Sequence, residues 1–142
     1  VTRIDFYHYA EDKLRYACRL AAKAADSDSR LVVYSPDAQV LAGFDRLLWT
    51  FQSTRFVPHC RAVDAIAAET PVILASGDEA LPHHDVLLNL GGERPPFFAS
   101  FERLLEIVGT DEEDKQLARS RFVFYKKRGY AINVNAISET RD

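Results

Sequence analysis

The sequence predicts an α/β fold: a three-layer sandwich around an open, mostly parallel sheet, formed by one domain over residues 1–142. Short apolar runs bounded by turn residues alternate with stretches of helical period, the pattern of strands covered on both faces. A chain of 142 residues, 47% hydrophobic and 27% charged, has the size and balance of one soluble globular domain with a real core. No internal repeat, low-complexity tract or linker divides it.

Ile4 to Tyr9 reads as the first strand. Glu11 to Ala25 reads as a helix, because Leu14, Ala17, Cys18, Ala21 and Ala25 share one stripe. Arg30 to Tyr34 is a short apolar strand of the kind buried in a parallel sheet. Ser35-Pro36-Asp37 then supplies an N-cap, a proline for the first helical position and an early acid; Val40, Leu41, Phe44, Leu47 and Leu48 form the apolar face of that second helix. Pro71 to Ala75 and Asp85 to Leu90 are further strands. Phe97, Phe101, Leu104, Leu105 and Val108 recur at helical spacing and predict a third helix over 97–108. Thr110-Asp111-Glu112-Glu113 reads as a capping box opening a fourth helix, which runs to about Arg128 and stops at Gly129. Tyr130, Ile132, Val134 and Ala136 alternate with polar residues as a final strand.

No apolar run approaches the ~20 residues a membrane span needs, and the segment Val1 to Phe6 has none of the marks of a signal peptide, which predicts a cytoplasmic protein that meets no membrane. Two cysteines, Cys18 and Cys60, imply no disulfide framework. The net charge is -3, but its distribution is uneven. Between Lys115 and Tyr130 lie six basic residues and no acid, leaving 12 positive and 21 negative charges elsewhere, a net of -9. A local basic patch on an acidic protein suits a small acidic partner better than a long phosphate backbone.

Catalytic signatures are missing. The first strand is followed by His8-Tyr9-Ala10-Glu11-Asp12, with neither G-x-G-x-x-G nor a Walker-type loop, and an acidic pair there would repel phosphate. Gly91-Gly92 reads as a turn. His59-Cys60 and His83-His84 are adjacent pairs without ligand spacing, so no metal and no cofactor is expected. No nucleophile elbow accompanies any serine, and the acids at 111–114 are explained by the helix dipole. No catalytic site is expected.

Two surfaces look suited to docking. On the fourth helix Lys115, Arg119, Phe122 and Lys126 fall within about 60° of one another, while Leu117 and Phe124 lie on the far side, where they can pack on the sheet. Such a stripe fits a short peptide with carboxylates and an apolar anchor, and it equally fits a solvated basic helix face. The second surface centres on Trp49-Thr50-Phe51 and Arg55-Phe56-Val57-Pro58-His59, where Pro58 argues against a central strand. Its aromatics either sit on an exposed rim as interface anchors or close the end of the core.

Leu48-Trp49, Phe56-Val57-Pro58-His59, Asp114-Lys115-Gln116-Leu117-Ala118-Arg119-Ser120-Arg121-Phe122 with Tyr125, and Gly129-Tyr130 together resemble the chi subunit family of DNA polymerase III, in order and spacing over nearly the whole chain. The resemblance implies a Rossmann-like fold without a nucleotide site and a non-catalytic accessory subunit of the clamp-loader assembly. It implies two protein partners: the psi subunit, which tethers chi to the clamp loader, and the acidic C-terminal tail of single-stranded DNA-binding protein. Some family members also take an accessory helicase on the psi-facing surface. Carried over by position, tail binding falls on Lys115, Arg119 and Phe122 with Val123 beside them and Lys126 in support, and the psi interface on Trp49 and Phe56 with Phe51 as a neighbour. Phe122 stands where better-known members have tyrosine, and Val123 where they have lysine; Lys126 and Lys127 can compensate. Two rivals remain: a degenerate nucleotide-binding enzyme, disfavoured by the missing glycine loop, and direct single-strand binding, disfavoured by the net -9 outside the patch.

Overall fold

The computed structural model describes residues 1–51, 56–77 and 79–137. In chain order the elements are β1 (Arg3–Ala10), α1 (Lys13–Asp26), β2 (Leu31–Tyr34), α2 (Ala38–Thr50), β3 (His59–Arg61), β4 (Val72–Ala75), β5 (Val86–Asn89), β6 (Arg103–Gly109), α3 (Glu112–Lys127) and β7 (Ala131–Ala136). All seven strands join one sheet, parallel throughout, in the order β3-β4-β2-β5-β6-β1-β7. α3 leaves β6, passes over β1 and returns as β7, so β1 is hydrogen-bonded on both sides.

Side chains that alternate along each strand feed two separate cores. One face of the sheet, with Leu31, Val33, Leu74, Leu88, Leu105 and Ile107, packs against α1 and α2. The other, with Ile4, Phe6, Val32, Ile73, Leu87, Leu104 and Val108, packs against Ala118 and Tyr125 of α3 and against Phe98 and Phe101. These are the three expected layers.

The region predicted as a third helix is the main correction. A short 3-10 turn, Phe98–Ser100, leads instead into β6. Leu104, Leu105, Ile107 and Val108 are all buried because β6 is central and covered on both faces. A strand buried on both faces is continuously apolar, and a short run of that kind imitates helical spacing. β3 was not anticipated either; it is a three-residue edge strand that begins just after Pro58.

Two caps are shifted. α2 is capped by Asp37, whose carboxylate accepts from Gln39 N at 2.9 Å, while Ser35 Oγ accepts from Asp37 N and shapes the turn before it. α3 is capped by Asp111 rather than Thr110: Asp111 Oδ2 accepts from Asp114 N at 3.1 Å, and Asp114 Oδ2 accepts from Gly109 N at 2.6 Å. The cap thus lies one residue further along than a Thr-x-x-Glu box would put it, and the return bond from Asp114 reaches Gly109 N, two residues before the N-cap. Gly129 ends α3 with φ of 83°, a left-handed conformation open to glycine at no steric cost.

The buried face of α3 also departs from expectation. Ala118, Arg121 and Tyr125 point inward, Phe122 and Phe124 are half-buried on either flank, and Leu117 is exposed. Arg121 turns inward because Glu106 of β6 waits there with no solvent exposure. Arg121 Nε donates to Glu106 Oε1 at 3.0 Å, Tyr125 Oη donates to Oε2 at 2.6 Å, and Asn89 Nδ2 donates to both oxygens at 3.1 and 3.2 Å. Burial pushes the Glu106 carboxyl upward in pKa, and Arg121 with the other donors pulls it back; every partner is a donor, as an ionised carboxylate needs.

Arg121→Met should lower stability by about 3–5 kcal/mol, because it strands a buried carboxylate. Adding Glu106→Gln should recover a large part of that loss in urea unfolding. A single variant as stable as wild type would show that the network holds nothing.

A pH step is expected from His83, which is buried in the segment entering β5. Burial, and then Arg30 and His84, hold its pKa below the ordinary value, with Asp85 opposing them. The unfolded chain takes up the proton first, so stability falls as pH drops below about 6.5 and levels off below the folded value. Tm recorded from pH 7 to pH 5 should show this slope in wild type and a shallower one in His83→Asn.

Candidate functional site

Each of the three α-helices among the described residues begins on an aspartate. Asp12, Asp37 and Asp111 each accept a backbone N–H of their own first turn. One first-turn donor of each helix is therefore already held by a carboxylate, and that charge repels a second anion. Lys13 Nζ bridges to Asp114 at 3.0 Å and ties the starts of α1 and α3 together. Cys18 is fully buried, and burial pushes its thiol up to about 12, so it carries no thiolate near neutrality. Among the described residues no three His, Cys, Asp or Glu side chains are grouped as metal ligands.

What the carboxyl ends of the strands do carry is a groove. It has a volume of about 550 Å³ and lies between α3 and the ends of β1 and β6, with Val134 of β7 as one wall. Lys115, Arg119 and Phe122 enter it from α3, and Phe6, His8 and Tyr9 from β1. Its floor is apolar: Phe122 packs edge-on against Phe6 at 5.5 Å, beside Val108 and Ala118. Lys115 is half-buried and Arg119 exposed at the lip, and neither is in an ion pair among the described residues. The groove thus joins an aromatic floor to two free cations.

Three of the five helix residues singled out from sequence meet in this groove. Val123 is exposed on the outer face of α3 and does not line it. Lys126 stands 6.0 Å over the Phe122 ring, beside the groove rather than in it. His8, Tyr9 and Val134 were missed. Tyr9 had a structural signal that sequence lacks: its φ of 72° lies in the left-handed region, where the register of β1 against β6 shifts. A bulky side chain held there is strained, and the twist coincides with a tyrosine that stays exposed on the groove wall.

The second surface lies at the other edge of the sheet. Trp49 and Phe56 are 54% and 55% exposed, and their rings stack at 5.0 Å. They sit on the rim, and it is Val57 that is buried in the core. Trp49 also packs at 5.0 Å on the ring of His59, whose Nδ1 lies 2.7 Å from Val57 O and whose Nε2 lies 2.9 Å from Asp45 Oδ1, off the line of a hydrogen bond. A second groove, of about 570 Å³, opens beside Trp49. Phe51 is not part of this stack: it is half-buried against the α1–α2 core with Arg15 Cζ 5.3 Å from its ring. Arg55 lies outside the described residues.

A parallel α/β sandwich with capped helix ends and two open aromatic surfaces has the features of a protein-docking module. Comparison with known proteins then names the family. The profile of the DNA polymerase III chi subunit, HolC, matches residues 1–133. The chain is 35% identical to the DNA polymerase III subunit chi of Pseudomonas aeruginosa over 136 residues, covering 93% of this chain and 94% of that one. It is 28% identical to the subunit chi of Haemophilus influenzae over 122 residues, 85% of each chain. To that of Escherichia coli it is 27% identical over 117 residues, 82% of this chain and 80% of the other. The chain belongs to the DNA polymerase III chi subunit family, a family of replication accessory subunits. No helix among the described residues is long and apolar enough to cross a membrane.

Because Tyr9 is held at positive φ, Tyr9→Gly should match or exceed wild-type stability, by up to about 1–2 kcal/mol, whereas Tyr9→Val should lower it, since a β-branch tolerates positive φ least. Urea midpoints that rank the two variants the other way would remove the strain.

Proposed function

We propose that this chain is a non-catalytic replication adaptor that links the clamp loader of DNA polymerase III, through a psi subunit, to the acidic C-terminal tail of single-stranded DNA-binding protein. One observation carries the reading: the groove in which Lys115 and Arg119 stand over an aromatic floor made by Phe122 and Phe6. A peptide that ends in an apolar residue next to carboxylates matches it group for group. The terminal side chain packs on Phe122 and Phe6, and the carboxylates pair with Lys115 and Arg119. Lys126 adds charge from the side, and Val123 contributes apolar surface at most. Exposed ion pairs are worth only ~0.2–1 kcal/mol each, so binding is weak and salt-sensitive, and it gains strength when several tails are presented together.

The psi subunit, or an accessory helicase, is assigned to the Trp49–Phe56 rim. Two adjoining aromatics more than half exposed favour a protein partner that covers them. Phe51, packed on the α1–α2 core beside Arg15, is left out of this assignment. The charge balance and the capped helix ends both speak against a direct contact with nucleic acid and against a nucleotide site.

The test is titration of a fluorescent acidic tail peptide into three proteins. Wild type should bind in a salt-sensitive manner. Lys115→Ala/Arg119→Ala should bind about 2- to 30-fold more weakly, the loss of two ion pairs at ~0.2–1 kcal/mol each. Trp49→Ala/Phe56→Ala should bind the peptide as wild type does and fail to retain psi. Phe122→Ala is avoided as the sole variant, because the ring also packs on Phe6. Equal peptide binding by wild type and Lys115→Ala/Arg119→Ala would remove the groove assignment; no binding by wild type would remove the tail reading.

A further inference from the structure

The two flanks of α3 are built alike, yet only one borders the groove. On the far flank Phe124 is half-buried beneath two guanidinium groups: Arg94 Cζ lies 3.6 Å from the ring centroid and Arg128 Cζ 4.6 Å. Both arginines are exposed, and neither is in an ion pair among the described residues. A cleft of about 180 Å³ runs beside them between the Gly92–Arg94 loop and α3, with Leu117, Ser120 and Arg121 on the helix side. Arg121, only 4% exposed, donates from Nη1 to Gly92 O at 2.7 Å and so holds the loop, and with it Arg94, against the helix. Glu93 is the one acid on the cleft. A guanidinium stacked on a ring keeps its N–H edge available for oxygen ligands, and two such groups on one ring form a pre-organised carboxylate receptor.

We propose that the Arg94–Phe124–Arg128 stack is a second anion subsite, which takes carboxylates further upstream in the same acidic segment whose end fills the groove. The segment therefore crosses α3 and is gripped on both flanks. This rests on the tail reading above. The span is short: a helix with its side chains is ~10–12 Å across, the path over its exposed face is about half the circumference, ~16–19 Å, and an extended peptide advances ~3.3 Å per residue, so about five or six residues bridge the flanks. The helix surface they cross carries Val123 and Lys127 and no acid from Lys115 to Tyr130, so the helix face does not repel the segment; the acid it meets is Glu93 at the cleft beside Arg94.

The test uses the full chain, wild type and Arg94→Ala/Arg128→Ala, with two fluorescent peptides: one of about eight residues, acidic along its length with an apolar C-terminal residue, and one trimmed to about its last three residues, too short to cross the helix. Both substituted side chains are exposed, so an unchanged Tm verifies the fold. The long peptide should bind the variant about 3- to 10-fold more weakly, and the short one should bind both proteins equally. Equal loss for both peptides, or no loss for the long one, overturns the crossing path. Failure of wild type to bind either peptide removes the groove reading and this one with it. Binding of a bare oligonucleotide that the double substitution abolishes, with peptide binding intact, assigns the stack to phosphates and overturns the proposal.

Discussion

The buried carboxylate of Glu106 is the interaction on which the rest of this molecule turns. It sits on the central strand β6 with no exposure to solvent, and a lone charge there would be prohibitively costly. Three side chains from two other elements make it tolerable: Asn89 from β5, and Arg121 and Tyr125 from α3. The same partners carry the constraint outward. Asn89 Nδ2 also donates to Glu93 O, its Oδ1 accepts from Gly91 N at 2.9 Å, and Arg121 reaches Gly92 O. The loop after β5, the central strand and α3 are thus locked to one charge. A network with this many members fails as a unit when one is removed, because each orphaned group then pays its own desolvation.

That lock sets the rotation of α3, and rotation decides what α3 shows. With Arg121 and Tyr125 turned inward, Phe122 is delivered to Phe6 on one flank and Phe124 to Arg94 on the other. Lys115 and Arg119 then stand at the lip of the groove. A turn of one residue, ~100°, would swing them away from it. In open α/β sheets ligands gather at the carboxyl ends of the strands, and this groove is at that place. The difference lies in which groups are offered. Where a nucleotide site would expose bare backbone N–H groups, Asp111 and Asp114 place carboxylates that hold the N–H groups of Asp114 and Gly109 and repel a further anion, so the groove offers side chains instead.

Much of this was legible in the chain and some was not, for identifiable reasons. β2, β4 and β5 could be read because each is a short apolar run ended by turn residues, and the end of α3 because Gly129 marks it. β6 was read as a helix because a strand buried on both faces loses the alternation that distinguishes strands, and Glu106, the polar residue in its middle, fell where a helix could also have tolerated it. The inward turn of Arg121 could not be seen because its partner is 15 residues away and is brought near only by the β6–α3 connection. Counting Arg121 among the free basic residues was the consequence. Lys115, Arg119 and Phe122 were legible as a group because their spacing is local to one helix. Their groove partners His8, Tyr9 and Val134 were not, since the parallel crossover over β1 has to form before those residues become neighbours.

The same topology separates the two surfaces proposed for docking. The groove lies over β6, β1 and β7, while the Trp49–Phe56 stack lies by β3 at the opposite edge. Five strand spacings part β3 from β1, roughly 24 Å at ~4.8 Å per strand. No residue lines both grooves, and the Glu106 network touches only the α3 side. Sites so far apart without shared partners respond to substitution nearly additively. The sheet between them is one hydrogen-bonded unit, rigid enough to hold both at a fixed separation. The proposed adaptor role needs that combination: two contacts that do not compete, carried on a frame that keeps them apart, so that occupation of one surface would raise the local concentration of partner at the other.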